Sequence, residues 1–203
     1  MKTIPCPLDK AILQVLRSAR GGRVLSLRHF EHLGSPPAVR QTLSRLVRAG
    51  IIRRVTRGIY DLPRQHPIVG QTAPDITSTV RTLMQASRAQ WQFSGAYAAN
   101  ALGLSDQVPA KIVILTNGVS RRVLLGKLIL SFRHASPRNL LGAGRTSGLV
   151  IQALRYLGKG EITPHRRTHL KRVLDARTKT DLQFLQPKLP AWMRPMIQQI
   201  TEA

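Results

Sequence analysis

Residues 35–50, SPPAVRQTLSRLVRAG, are the stretch that decides the fold of the amino-terminal part of the chain. A serine before two prolines is a common helix start, and the closing glycine is a common helix stop. At about 100° per residue, one arc of such a helix is apolar and comprises Val39, Leu43, Leu46 and Val47. The opposite arc contains no acid and comprises Arg40, Gln41, Ser44, Arg45 and Arg48. The pattern predicts a helix that docks on a small core and presents cations outward.

The overall charge helps to interpret this helix. Many surface helices carry a solvated basic face, so the pattern alone does not require a ligand. The whole chain, however, has 32 Lys and Arg against nine Asp and Glu, for a net charge of +23 in 203 residues. Such an excess repels itself and is normally matched by an anionic partner. Nucleic acid is the default partner for this charge, and side chains of the outward arc reach both phosphates and base edges.

Other locations and partners are less consistent with the composition. No segment combines the length and apolarity of a membrane span, and the first residues lack the apolar run of a secretory signal. A single cysteine excludes an intramolecular disulfide framework and a cysteine-based zinc site. We therefore expect a cytoplasmic, nucleoid-associated bacterial protein with no membrane partner.

The neighbouring residues predict the other parts of a winged helix-turn-helix. Apolar spacing predicts a helix over 8–19 and a short helix over 26–33, both upstream of the basic helix. Downstream, 51–55 and 59–62 predict two strands around a turn that contains Gly58. Helix, short helix, helix and hairpin within about 60 residues is the order of this DNA-binding fold.

The winged helix-turn-helix assigns roles to the basic residues. The third helix would enter the major groove, and the hairpin, called the wing, would lie beside the DNA backbone. We expect base contacts from Arg40, Gln41 and Ser44. We expect phosphate contacts from Arg45, Arg48, Arg53, Arg54 and Arg57. A hairpin that only seals the core, with arginines for solubility, is the alternative.

The remaining residues predict a second, α+β domain. Proline-rich residues 65–74 predict a linker, which separates a DNA-binding domain over 1–64 from a domain over 75–203. Strand signals at 111–116, 121–125 and 128–133 place a small β-sheet inside this mostly helical domain. A helix beginning at Thr163 is expected to present additional nucleic-acid contacts on its outward side, namely Arg166, Arg167, Lys171 and Arg172.

No motif indicates catalysis, a cofactor or a metal. His165 and His169 have metal-ligand spacing, but the residues between them lack the glutamate of a metalloprotease helix, and adjacent arginines disfavour a dication. The glycine-rich run 142–148 precedes a helix, yet it lacks the Gly-Lys-Ser/Thr ending of a nucleotide-binding loop. We therefore expect no enzymatic activity, no cofactor and no bound metal.

Several motifs resemble the AbiEi-type antitoxins of bacterial abortive-infection and toxin–antitoxin loci. The resemblance spans roughly residues 8–175 and is more specific in the second domain than in the first. The matching segments are 57–60 (RGIY), 93–100 (FSGAYAAN), 102–105 (LGLS), 107–110 (QVPA), 115–118 (LTNG) and 136–140 (SPRNL).

The resemblance implies a function beyond DNA binding. It implies a repressor that binds inverted repeats in double-stranded DNA of its own promoter and counteracts a nucleotidyltransferase-like toxin. Whether that toxin is bound directly, modified or opposed indirectly stays open. DNA binding is predicted independently from charge and the basic helix, whereas the antitoxin role depends on the resemblance alone. The alternative is an RNA-binding regulatory protein without an antitoxin role.

Overall fold

The computed structural model describes residues 7–19, 23–68, 70–85, 87–126 and 128–202, and the single cysteine lies outside these ranges. The chain divides into two compact units, Met1–Ala86 and Ser87–Ala203. Both units mix helices with small sheets, so the fold class is α+β.

The described residues of the first unit form three α-helices, a 3₁₀ helix and five short strands. Its helices are α1 (Pro7–Ser18), the 3₁₀ helix Leu27–Leu33, α2 (Pro36–Arg48) and α3 (Ile76–Gln85). Its strands are β1 (Leu25–Ser26), β2 (Arg53–Thr56), β3 (Ile59–Asp61), β4 (Gln65–His66) and β5 (Gly70–Gln71). An antiparallel sheet has the order β1-β3-β2, and β4 pairs with β5 separately.

The core of the first unit lies between α1, the 3₁₀ helix and α2. Ile12, Phe30 and Leu43 are completely buried there. The apolar arc predicted for α2 is confirmed, because Val39, Leu43 and Leu46 are buried and Val47 is half-buried. Burying each apolar side chain of this size stabilises the fold by about 1.5–3 kcal/mol. Because the apolar arc of α2 is held against the core, the opposite arc points to solvent.

The boundary between the units falls later than the predicted linker at 65–74. Helix α3 belongs to the first unit, where Ser78 Oγ accepts from the Val24 amide at 3.1 Å and Thr82 Oγ1 donates to the Val24 carbonyl at 3.2 Å. Within 65–74, β4 and β5 pair as a hairpin. A proline-rich segment is a linker only where no other part of the chain pairs with it or packs on it. The pairing of β4 with β5 and the contacts of α3 with Val24 are not visible in the sequence.

Within the part of the chain that the structure describes, the second unit combines a four-stranded sheet with five α-helices. The strands are β6 (Trp91–Ser94), β7 (Lys111–Thr116), β8 (Arg121–Leu125) and β9 (Leu128–His134). Their order is β6-β7-β9-β8, with β7 and β9 parallel and the other pairs antiparallel. The helices are α4 (Ala96–Ala101), α5 (Thr146–Leu157), α6 (Pro164–Val173), α7 (Ala176–Leu185) and α8 (Arg194–Thr201).

Helix α5 is central to the second unit. Leu154 of α5, Leu170 of α6 and Leu182 of α7 are completely buried in one apolar cluster. The glycine-rich run before α5 makes a close backbone contact, since a Cβ on Gly148 would lie 2.3 Å from the Gly142 carbonyl oxygen. This run therefore has a packing role. Among the described residues, no helix has the length and apolarity needed to cross a membrane.

Candidate nucleic-acid interface

The outward arc of α2 is exposed along its length. Arg40, Gln41, Ser44, Arg45 and Arg48 all lie on the solvent side of the helix. Two prolines at the first helical positions begin the helix, and Gly50 ends it with a φ of 69°, which suits glycine. Arg48 Nη2 lies 3.5 Å from Ser44 Oγ. The polar and basic groups thus form one continuous strip.

Most acids of the first unit have internal partners. This unit contains fourteen Lys and Arg but only four acids: Asp9, Glu31, Asp61 and Asp75. Asp9 and Asp61 form ion pairs within the unit, and Asp75 accepts from the Ser78 amide at 2.5 Å at the start of α3. Among the described residues, Arg40 and Arg48 have no ion-pair partner, so their charges are available to a ligand.

Arg45 differs from the other cations of the strip. Its guanidinium pairs with Asp9 of α1, whose side chain is only 9% exposed. A phosphate at Arg45 would have to compete with this carboxylate, which is already partly desolvated. Arg45 therefore links α2 to α1, and its predicted phosphate contact would have to form beside this ion pair.

Arg53 also differs from its predicted role. Its Nε and Nη2 donate to the two carboxylate oxygens of Asp61 at 3.0 and 2.5 Å, and Nη1 donates to the Thr72 carbonyl at 2.9 Å. The Asp61 side chain is 3% exposed. A fork-shaped guanidinium with every nitrogen engaged inside the unit is a structural group. We remove Arg53 from the expected phosphate contacts for this reason.

The β2–β3 hairpin carries two exposed arginines. Arg54 lies on β2, and Arg57 occupies the two-residue turn with Gly58, whose φ is 74°. Neither arginine pairs with an acid of the described chain. The register shift between Arg54 and Thr56 marks a bulge, which turns the strand near its end.

The structure adds Arg28 to this surface. The Leu27 amide donates to the Gly58 carbonyl at 3.0 Å, so the start of the 3₁₀ helix lies against the hairpin turn. Arg28, the next residue, is exposed. Sequence reasoning missed Arg28 because only the pairing of β1 with β3 brings these two segments together.

The four cations predicted to form a basic face on α6 differ in exposure and in partners. Arg166 contacts Glu161, with Nη1 3.2 Å from Oε2, and Arg167 donates to Gln199 Oε1 at 2.7 Å. Both arginines and Lys171 are half-buried, which leaves Arg172 as the fully exposed member of the four. Contacts of Arg166 with the turn before α6 and of Arg167 with α8 hold these two side chains, and the additional nucleic-acid contacts of α6 stay a prediction.

The two histidines of α6 have different surroundings. His169 Nε2 lies 2.9 Å from the Leu102 carbonyl oxygen, and His165 is exposed. No group of three or more potential metal ligands occurs among the residues that the structure describes.

Polar side chains from two distant segments meet at α5. Ser94 Oγ donates to Gln152 Oε1 at 3.3 Å, and Gln152 Nε2 donates to the Asn139 carbonyl at 2.7 Å. Arg155 donates to the side chain of the same Asn139. Burial lowers the pKa of Arg155, and the positive charge of Arg138 lowers it further. These polar residues therefore connect β6, α5 and the segment after β9.

Comparisons with known proteins place the chain in a family. A family model described as a family of unknown function (DUF6088) matches residues 11–182. No curated protein matches the chain. The crystal structure of the RV2827C protein from Mycobacterium tuberculosis is similar at 16% identity, covering 98% of this chain and 79% of that one, with a TM-score of 0.49. The family match covers most of the chain, which therefore belongs to DUF6088.

Proposed function

We propose that the protein is a winged-helix repressor that binds inverted repeats in its own promoter and acts as the antitoxin of a nucleotidyltransferase-like toxin. The exposed, acid-free strip on α2, next to an arginine-tipped hairpin, carries the DNA-binding part of this proposal.

Helix α2 has the dimensions of a recognition helix. Its 13 residues correspond to about 20 Å, and the major groove of B-DNA admits an α-helix. Arg40, Gln41 and Ser44 are the base-reading residues of the proposal. Arginine pairs with guanine and glutamine with adenine through two hydrogen bonds each, so these side chains can discriminate sequence.

The hairpin and its neighbour supply the phosphate contacts. The order of α1, β1, the 3₁₀ helix, α2 and the β2–β3 hairpin supports the proposed winged helix-turn-helix, in which the hairpin would be the wing. Arg48, Arg54 and Arg57 keep the phosphate role expected from the sequence, and Arg28 joins them. Four such contacts make affinity strongly dependent on salt.

A footprint on the protein's own promoter tests this part. Wild-type protein should protect an inverted repeat, and Arg40→Ala with Arg48→Ala should abolish the protection. Arg81→Ala is the matched control because Arg81 is an exposed arginine on a different helix, α3. An unchanged footprint in the double variant would contradict the assignment of α2. Tight binding to structured RNA, with no preference for the repeat, would support an RNA-binding regulator instead.

The antitoxin part of the proposal depends on the resemblance of residues 93–118 and 136–140 to AbiEi antitoxins. Co-expression with a neighbouring nucleotidyltransferase-like gene tests it separately. The full wild-type chain should rescue growth. The double variant Arg40→Ala with Arg48→Ala should also rescue growth if the antitoxin effect does not require repression of the promoter. Failure of every variant and of the wild type to rescue growth would refute the antitoxin role without affecting DNA binding.

A further inference from the structure

Strand β8 forms an open edge of the sheet in the second unit. The sheet order β6-β7-β9-β8 leaves the outer side of β8 without a paired strand among the described residues. Arg122 and Leu124 are exposed, and Leu124 is 67% exposed. An open edge strand can pair with another chain, and proteins usually protect such edges with charged residues, prolines or bulges. An exposed leucine on an open edge therefore favours pairing with a partner.

The register shows which backbone groups of β8 face outward. Leu124 lies opposite Ile129, and Arg122 lies opposite Ser131. The Ile129 amide donates to the Ala110 carbonyl at 3.3 Å, on the β7 side of β9. The Leu124–Ile129 pair is therefore a non-hydrogen-bonded pair, and antiparallel pairs alternate. It follows that Arg122 and Leu124 point their N–H and C=O groups away from β9.

The charge around this edge has one sign. Residues 107–160, which include β7, β8 and β9, contain nine Lys and Arg and no acid. Arg122, Leu124 and Arg133 lie on one face of the sheet because side chains alternate along each strand. On the opposite face, the Arg121 guanidinium lies 5.1 Å from the centre of the Phe132 ring. A strand that pairs with β8 therefore meets cations on both faces.

We propose that the outer edge of β8 binds an extended, acidic segment of a partner protein as a fifth strand. The segment would place an acidic side chain against Arg122 and an apolar one against Leu124, in the manner of β-strand addition.

Two other occupants fit the edge less well. A second copy of this chain carries the same charge of +23 and would bring its own arginines to β8. A DNA backbone offers phosphate acceptors, which can take the outward N–H groups, but it has no donor for the C=O groups of Arg122 and Leu124. A peptide backbone satisfies both kinds of group.

A synthetic peptide provides the test on the full-length protein. The probe is the seven-residue peptide Glu-Thr-Val-Thr-Glu-Thr-Val, which places glutamate and valine two residues apart on one face, the same spacing as Arg122 and Leu124. Its control is the same peptide with an N-methyl group on every peptide nitrogen, which blocks both of its edges. Both have the same charge, but only the first can add as a strand. We expect the amides of Arg122 and Leu124 to exchange hydrogen at least tenfold more slowly with the first peptide, as measured by NMR. Equal protection by the control peptide would overturn the proposal.

Matched variants test the backbone hydrogen bonds and the charge of the β8 edge separately. Leu124→Pro removes an outward N–H that β9 does not use, and it should abolish peptide binding, while Leu124→Thr keeps the N–H and should retain binding. Arg122→Glu should weaken binding at least tenfold. If Leu124→Pro fails to fold, the N-methylated peptide still tests strand addition and Arg122→Glu still tests the charge contact.

The inference does not depend on the proposed DNA binding, because the β8 variants should leave the promoter footprint intact. Peptide binding unaffected by Arg122→Glu would overturn it. Protection of the Arg122 and Leu124 amides by duplex DNA, or by a second copy at high protein concentration, would overturn it as well.

Discussion

Replacing Arg53 with alanine should destabilise the first unit, whereas replacing its neighbour Arg54 should not. The Asp61 carboxylate is 3% exposed and receives two hydrogen bonds from Arg53, which also donates to the Thr72 carbonyl. Without Arg53 a buried charge loses its partner, a change that costs about 3–5 kcal/mol. Because the Arg53 side chain is 27% exposed, we expect the lower end, about 3 kcal/mol. Arg54 is exposed, and its loss should change the free energy of unfolding by less than about 0.5 kcal/mol.

Urea unfolding, followed by far-ultraviolet circular dichroism and by hydrogen exchange of the β2 and β3 amides, measures this difference. Trp91 and Trp192 both belong to the second unit, so tryptophan fluorescence reports that unit separately. The double variant Arg53→Met with Asp61→Leu should recover much of the loss, since it removes both charges together. If Arg53→Ala and Arg54→Ala unfold at the same urea concentration, the ion pair is not a structural element and Arg53 returns to the DNA contacts.

Four further predictions follow from individual contacts. Arg40→Ala should cost about 1–3 kcal/mol of binding to the operator and relax sequence preference, as measured by competition with altered duplexes. Arg48→Ala should weaken binding to every sequence and flatten the salt dependence by about one unit. Gly148→Ala should unfold the second unit at lower temperature, because its Cβ would lie 2.3 Å from the Gly142 carbonyl oxygen; an unchanged melting temperature would refute this packing. Hydrogen bonds from Thr178 lower the pKa of Asp175, so its stabilisation of α7 is present above the unfolded pKa of about 3.9 and is lost as pH falls through the lower folded value. Asp175→Ala should therefore lower the melting temperature more at pH 7 than at pH 2.

Elements with a clear period could be predicted from the sequence. Helix α2 and its buried arc follow from apolar residues at helical spacing, and β7 follows from an unbroken apolar run. Strand β6 could not be recognised, because Gln92 is polar and yet buried. Its Oε1 accepts from the Gly144 amide at 2.9 Å, and these two residues are 52 positions apart.

The roles of neighbouring arginines could be predicted only in part. Arg53 and Arg54 are adjacent arginines, so the sequence alone does not distinguish them. Their side chains lie on opposite faces of β2, and Asp61 lies on the face of Arg53. Arg166 and Arg167 show the same problem on α6, where partners from other segments decide exposure. The net charge indicates nucleic acid as the partner we propose. Tertiary contacts determine which arginines remain exposed to bind it.

The salt dependence of binding to a duplex with the promoter's inverted repeat tests the central claim most directly. Phosphate contacts from Arg28, Arg48, Arg54 and Arg57 predict a slope of about −3 to −4 in a plot of log affinity against log salt for each bound chain. The Arg48→Ala, Arg54→Ala and Arg57→Ala triple variant should flatten that slope by about three units. An unchanged slope in the triple variant would show that this surface does not bind the double helix.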